Sequence, residues 1–355
     1  MNKQAWRRTW FSVHKWIGLL LAALIIPVSF SGAVLVWHEE IEHAIHPERF
    51  AVTAGPAIGA DAYLQAARGA IGAGDRVSSL AMPRDGEAAV VSATAAPGKG
   101  GPPVRTSVYL DPPTARVMAV ARSDEGLLRV LHILHGSLYV PGVGRQIVGW
   151  IGVAMMLSAF TGLWLWWPAM GRWTRGLRWR RHPNVETNLH HQMGFWIALP
   201  LFVLSLTGAW ISFPAFFGKL SGEARPAGGG GRPVPVATPK SAVADVLAAG
   251  GGAAVTNIAW PTDRKPAWTL RTADGQLSVD DATRVVTHEP APATGIARLM
   301  RQVHDGTGMN IVWRVAIFLG GLIPVVLAVT GVIMWWRARV RRANTTRRPR
   351  VRAVV

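Results

Sequence analysis

The chain has no cysteine. That excludes a disulfide framework, a thiolate-held iron–sulfur cluster and a Cys-x-x-Cys-His haem attachment. Charge is missing where it would matter most. Four long apolar runs, roughly Trp16–Trp37, Ile147–Trp167, Met193–Phe213 and Val315–Trp336, contain no Asp, Glu, Lys or Arg. Each is long enough to cross a hydrocarbon core of about 30 Å, which takes about 20 residues. Without an intramembrane carboxylate or lysine, a proton-coupled transporter or a metal or chelate importer is poorly supported. No G-x-G-x-x-G follows a strand pattern, so no flavin or nicotinamide fingerprint is present. The first run has no small-residue cleavage site after it, because Trp37-His38-Glu39-Glu40 follows, so it reads as a span and not as a cleaved signal peptide.

What is present is positive charge, +18 over 355 residues. Its placement argues against a nucleic-acid partner. Met1–Lys15, Ala169–Leu189 and Arg337–Val355 hold 17 basic residues against one acidic residue, Glu186, whereas the long loops His38–Gln146 and Pro214–Trp313 are near balance. Alternation of this kind follows the positive-inside rule: both termini and the short central loop are expected in the cytoplasm and both long loops outside, in a multi-pass membrane protein with lipid around its spans. Seventeen tryptophans fit interfacial belts, with Trp6, Trp10 and Trp16 at the inner end of span 1 and Trp166, Trp167, Trp335 and Trp336 at the inner ends of spans 2 and 4.

Histidines stand at the span ends in matched register. His135 to Gly162 is 27 positions and so is His304 to Gly331; Arg145 and Arg314 each lie 10 after their histidine. His14 is followed by Gly18 at +4 and Ser31-Gly32 closing at +18, and His190 by Gly194 and Thr207-Gly208 at the same intervals. From Asp111/Asp280 to Gly162/Gly331 the offset is a constant 169, and for His14/His190 it is 176. The chain therefore reads as a tandem repeat of span, outer domain, span. The expected fold is a membrane α-helical four-span bundle with two α+β outer domains. In order, residues 1–45 are one long helix carrying span 1, 46–126 the first outer domain, 127–168 span 2, 169–189 a cytoplasmic loop, 190–214 span 3, 215–296 the second outer domain, 297–340 span 4 and 341–355 a basic tail. Each outer domain pairs a short helix (Asp61–Ala73; Ser241–Ala249) with four strands, and contains a flexible stretch, the Pro/Gly loop Ala96–Pro103 in the first and Gly228–Gly231 in the second.

Two imidazoles facing each other across a bundle can ligate a haem iron axially. His14 with His190, and His135 with His304, are the pairs expected to do so, with Arg145 and Arg314 placed to meet haem propionates on the outer side. Small neighbouring glycines would let a porphyrin approach. The Ser/Thr-Gly pairs serve either this or close helix packing. His132 shares the face of His135 but is matched by Arg301, and His191 is matched by Lys15, so neither is expected to be an axial ligand. His38, His43, His46, His182 and His288 have no repeat partner and read as solvated. A competing reading gathers His132, His135, His304 and Asp305 into a zinc or iron cluster; it leaves the inner pair unexplained.

With VHKWIG and LHHQMG opening spans 1 and 3, LHILHG and QVHDGTG before spans 2 and 4, the SG/TG closings and the WWP and WWR exits, the chain resembles the PepSY-associated transmembrane family over nearly its whole length. The outer domains, with VYLDPPTARV and LSVDDATRVV as hairpins, look like periplasmic PepSY modules. The resemblance implies an inner-membrane ferric-siderophore reductase: two b-type haems held by His14, His190, His135 and His304, a ferric siderophore or other ferric chelate as acceptor, and a cytoplasmic reductase or quinol as donor. It also leaves open a membrane-anchored PepSY protein that binds peptides or regulates a protease without redox activity, since fold alone does not fix function.

Overall fold

A computed structural model describes residues 3–84, 86–95, 103–169, 178, 182–223, 233–273, 275–289 and 295–346. The loop at 96–103 (but for Pro103), the glycine stretch at 228–231, most of the 169–189 loop and the end of the basic tail lie outside them. The chain divides into two compact units.

The first unit is built on four long apolar helices, α1 (Lys3–Leu35), α5 (Gly144–Ala169), α6 (Val185–Ser212) and α10 (Ile311–Thr346). Shorter helices are α2 (His38–Ile45), α3 (Ala60–Ala67), α4 (Leu127–Ser137), α7 (Pro214–Leu220), α8 (Val243–Ala249) and α9 (Ile296–Asp305). Stretches of 24 to 34 residues in the four long helices have a mean hydropathy of 1.7 to 2.5 over their apolar windows, enough in length and composition to cross a membrane. They close into a ring, α1 beside α5, α5 beside α6, α6 beside α10 and α10 beside α1. Small residues make this possible. A Cβ on Gly321 of α10 would stand 2.7 Å from the Ser29 carbonyl of α1, and one on Gly152 of α5 would stand 3.2 Å from the Ser205 carbonyl of α6. Between apolar helices in lipid, such backbone approach is where packing energy is gained.

Residues 1–45 are not one helix. α1 ends at Leu35, a tight turn follows, and α2 starts afresh at His38. The Val36 carbonyl, which a continuing helix would give to its own backbone, instead accepts a hydrogen bond at 3.0 Å from the Arg314 guanidinium, which also covers the Trp37 ring. Spans 2 and 4 are likewise preceded by separate helices. Leu138 and Tyr139, at positive φ, break α4 from α5, and Gly306 and Gly308 break α9 from α10. α9 then packs along α6. Its N-terminus is held by Glu223, whose carboxylate accepts from the Ile296 and Ala297 amides at 2.6 and 3.1 Å, and its far end by the Trp313 indole donating to the Val303 carbonyl.

The second unit is one antiparallel eight-stranded sheet in the order β4-β3-β2-β1-β5-β6-β7-β8. The strands are β1 Arg76–Ala81, β2 Ala89–Thr94, β3 Arg105–Leu110, β4 Val117–Arg122, β5 Val255–Ala259, β6 Ala267–Thr272, β7 Gln276–Asp280 and β8 Val286–Glu289. Each half supplies four of them, the number expected of each outer domain. The sequence did not disclose that β1 and β5 pair, Leu80 opposite Ile258, so that the two segments read as separate outer domains share one sheet and one core. Tyr63 and Val246, from α3 and α8, sit in that core with Leu80, Val91, Leu110, Trp268 and Leu270. Carboxylates fix the turns. Asp111 accepts from the Thr53 amide at 2.7 Å and the Thr114 hydroxyl at 2.6 Å. In the other half those two tasks are divided: Asp280 takes the Thr283 hydroxyl and amide, and Asp281 takes the Lys240 and Ser241 amides and the Trp268 indole. The Thr114 hydroxyl bond, with the Thr53 amide, outweighs burial and holds Asp111 below the usual carboxylate range.

Candidate cofactor site

The four register-matched histidines meet in two pairs within the bundle unit. His14 of α1 faces His190 of α6, ring centroids 6.3 Å apart and planes at 86°. His135 of α4 faces His304 of α9, centroids 5.9 Å apart and planes at 36°. Fourteen residues of α1 separate His14 from Val28, which touches His135; at 1.5 Å per residue the two pairs lie about 21 Å apart along that helix.

Every one of the four imidazoles is held by the same device. Its ring edge lies on the glycine of a Ser/Thr-Gly pair in a neighbouring span: His135 on Gly32, His14 on Gly162, His304 on Gly208, His190 on Gly331. In three of them Nδ1 reaches the carbonyl four residues before that glycine: His135 bonds the Val28 oxygen at 2.8 Å, His14 the Ser158 oxygen at 3.1 Å and His304 the Leu204 oxygen at 3.1 Å. A helix carbonyl has two lone pairs and its ladder uses one. Without a Cβ at the glycine, the second is open to a ring from outside. The hydroxyl before the glycine adds to this. Thr161, Thr207 and Thr330 donate to their own helix carbonyls and turn a lone pair toward Nδ1 of His14, His304 and His190, at 3.2, 3.0 and 3.0 Å. Ser31 does not; it bonds the Pro27 and Val28 carbonyls.

A carbonyl can only accept, so the proton of these rings sits on Nδ1. Nε2 then carries the lone pair, the tautomer and orientation that a metal ligand needs. Burial, reinforced by the neighbouring imidazole, pushes His304 down to about 4, and burial likewise lowers His135. Both are neutral at pH 7, as ligation requires. Two metal–nitrogen bonds of about 2 Å and two ring radii of about 1.1 Å put the centroids of a linear bis-imidazole about 6.2 Å apart. Both pairs are close to that separation. Among the described residues no three His, Asp or Glu converge as a metal group, which removes the proposed cluster of His132, His135, His304 and Asp305. A porphyrin iron asks the protein for two axial ligands only, and two is what each pair offers.

The first pair opens on a cavity of about 1200 Å³, above the usual 300–1,000 Å³ of small-molecule sites. Its walls are apolar, with Gly18 and Gly194 flanking the two histidines and Leu19, Ile25, Leu201 and Leu327 deeper. Trp166, expected in an interfacial belt, is instead buried beside it, stacked on Phe195 at 4.2 Å.

Arg145 and Arg314 both reach carbonyls at the ends of neighbouring spans, Arg145 that of Ile211 and Arg314 that of Val36. There they complement the negative end of a helix dipole. His132 is exposed. His191 lies edge-on to His182 at 4.8 Å and belongs to neither facing pair. His43 stacks on Phe50 and His46 meets Glu48. Sequence reasoning missed the carbonyls of Val28, Ser158 and Leu204 as partners of the rings; the constant spacing to Ser/Thr-Gly was the only trace of them.

The family model for the PepSY-associated TM region matches residues 11–338. No curated protein matches the chain.

Proposed function

The chain belongs to the PepSY-associated transmembrane family, and from that premise we propose that it carries electrons across the bacterial cytoplasmic membrane through two b-type haems and reduces a ferric chelate, of the ferric-siderophore class, in the periplasm. The observation that carries the proposal is the double pair of facing imidazoles, with Nδ1 of His14, His135 and His304 on helix carbonyls and Nδ1 of His190 on the Thr330 hydroxyl. Bound there, each haem supplies a one-electron carrier. His14 and His190 hold the cytoplasmic one, and His135 and His304 the periplasmic one. The Ser/Thr-Gly pairs fix ring orientation, so little rearrangement accompanies a change of charge. The apolar spans exclude water between the two positions. The two halves derive from one duplicated unit, which accounts for a relay of like sites.

No nucleophile or general base is needed, because the acceptor is reduced by outer-sphere transfer. Ferric iron accepts one electron and leaves the chelator, whose hard oxygen donors bind ferrous iron less tightly. The donor is quinol or a cytoplasmic reductase, since the chain carries no nucleotide-binding fingerprint of its own. The test is the visible spectrum of purified protein, oxidised and dithionite-reduced. A Soret band with two haems per chain is expected, falling to one in His14→Ala and in His135→Ala. A colourless protein, or a band untouched by both substitutions, refutes the proposal and leaves the peptide-binding reading of the family.

A further inference from the structure

The cavity beside His14 and His190 is apolar within and cationic at one end. Arg7, Arg8 and Lys15 of α1 and Arg339 and Arg342 of α10 line it, and among the described residues no Asp or Glu does. Arg7 also bonds the Leu165 carbonyl, and the Arg339 guanidinium lies 5.6 Å from the Trp335 ring centroid. A hydrophobic slot with a rim of five like charges suits an amphiphile that ends in more than one carboxylate. Near the other histidine pair Arg145 and Arg314 each bond a backbone carbonyl, as Arg7 does here.

Resting on the proposed function, we infer that Arg7, Arg8 and Arg339 hold the two propionates of the tetrapyrrole ligated by His14 and His190, which orients it with its carboxylates toward the basic end of the bundle and makes the two haem positions electrostatically unequal. Reduction adds one negative charge to the centre, so fixed cations at its edge favour the reduced form. Arginine suits the task because its planar fork meets a carboxylate at two points.

The experiment is a spectroelectrochemical titration of the full chain in detergent, comparing wild type with the single variants Arg7→Gln, Arg8→Gln and Arg339→Gln and with the corresponding lysine variants. The transition that His14→Ala abolishes identifies the centre concerned. Its midpoint is expected to fall in the glutamine variants and to return part of the way with lysine, while the His135-dependent transition stays in place. Loss of one haem equivalent in the glutamine variants, restored by lysine, supports the same assignment. Two haems with both midpoints unmoved overturn this inference and leave the proposed function standing. A protein with no haem overturns the proposed function itself.

Discussion

Adding one methyl group at Gly32 tests the histidine cradle directly. A Cβ there would lie 2.6 Å from Cε1 and 2.9 Å from Nδ1 of His135. The obstructed group is a side-chain ring, so the helix need not move; the ring does. To reach an ordinary contact of 3.4 Å it retreats by about 0.8 Å, which stretches its 2.8 Å bond to the Val28 carbonyl to about 3.6 Å, beyond hydrogen-bond range. Losing such an orienting partner lowers metal affinity by about 10–100-fold. Stability should hardly change, because the lost hydrogen bond, about 1 kcal/mol, is offset by replacing a helical glycine with alanine, worth about as much. Gly162→Ala and Gly208→Ala, at 3.0 Å, should be milder, and Gly331→Ala, at 3.5 Å, silent. Haem per chain, measured as the pyridine haemochrome alongside a thermal melt, checks the order. Gly32→Ala is expected to lose the His135/His304 haem alone at an unchanged melting point. Equal loss in Gly331→Ala and Gly32→Ala, or full retention in Gly32→Ala, would refute the reasoning.

Other expectations follow from the same contacts. Thr207→Val removes a hydroxyl that faces Nδ1 of His304 and should shift the spectrum or midpoint of that centre, whereas Ser31→Ala, whose hydroxyl faces its own helix, should not. With imidazole planes at 86° in one pair and 36° in the other, the ferric protein should give two low-spin electron paramagnetic resonance signals, the more anisotropic of them absent in His14→Ala; a single signal of doubled intensity counts against the geometry. Asp281→Ala strands the buried Trp268 indole and two amides and should destabilise the sheet by about 3–5 kcal/mol, read by urea unfolding with tryptophan fluorescence; Asp280→Ala, at an exposed turn, should cost about 1 kcal/mol. Asp111 titrates lower folded than its unfolded value of 3.8, so its contribution is complete above pH 3.8 and is lost as the pH falls through the depressed folded value. Sheet stability should therefore hold from neutrality to about pH 4 and decline below it, less so in Asp111→Asn.

The spans were legible because a membrane imposes a length and an exclusion of charge that local sequence must obey. The strands were legible because alternation of residues such as Thr106, Val108 and Leu110 with Ser107 and Tyr109 repeats every second position. Helix ends were less so. Nothing local at Val36-Trp37 announces a break; the carbonyl freed there is met by a guanidinium 278 residues away. For the same reason Trp166 read as an interfacial residue, though Phe195 of another helix buries it.

Sequence alone determined that four histidines recur in register with four Ser/Thr-Gly pairs, because duplicated spacing needs no third dimension to be seen. Only the tertiary structure decided which glycine receives which ring. His14 pairs with Gly162, not with its own Gly32, since a ring on one helix can lie only on the face that a neighbouring helix presents. The joining of the two outer segments into a single sheet was decided there too. Strand edges carry no mark of their partner, and β1 and β5 find each other through backbone hydrogen bonds that every residue but proline can make.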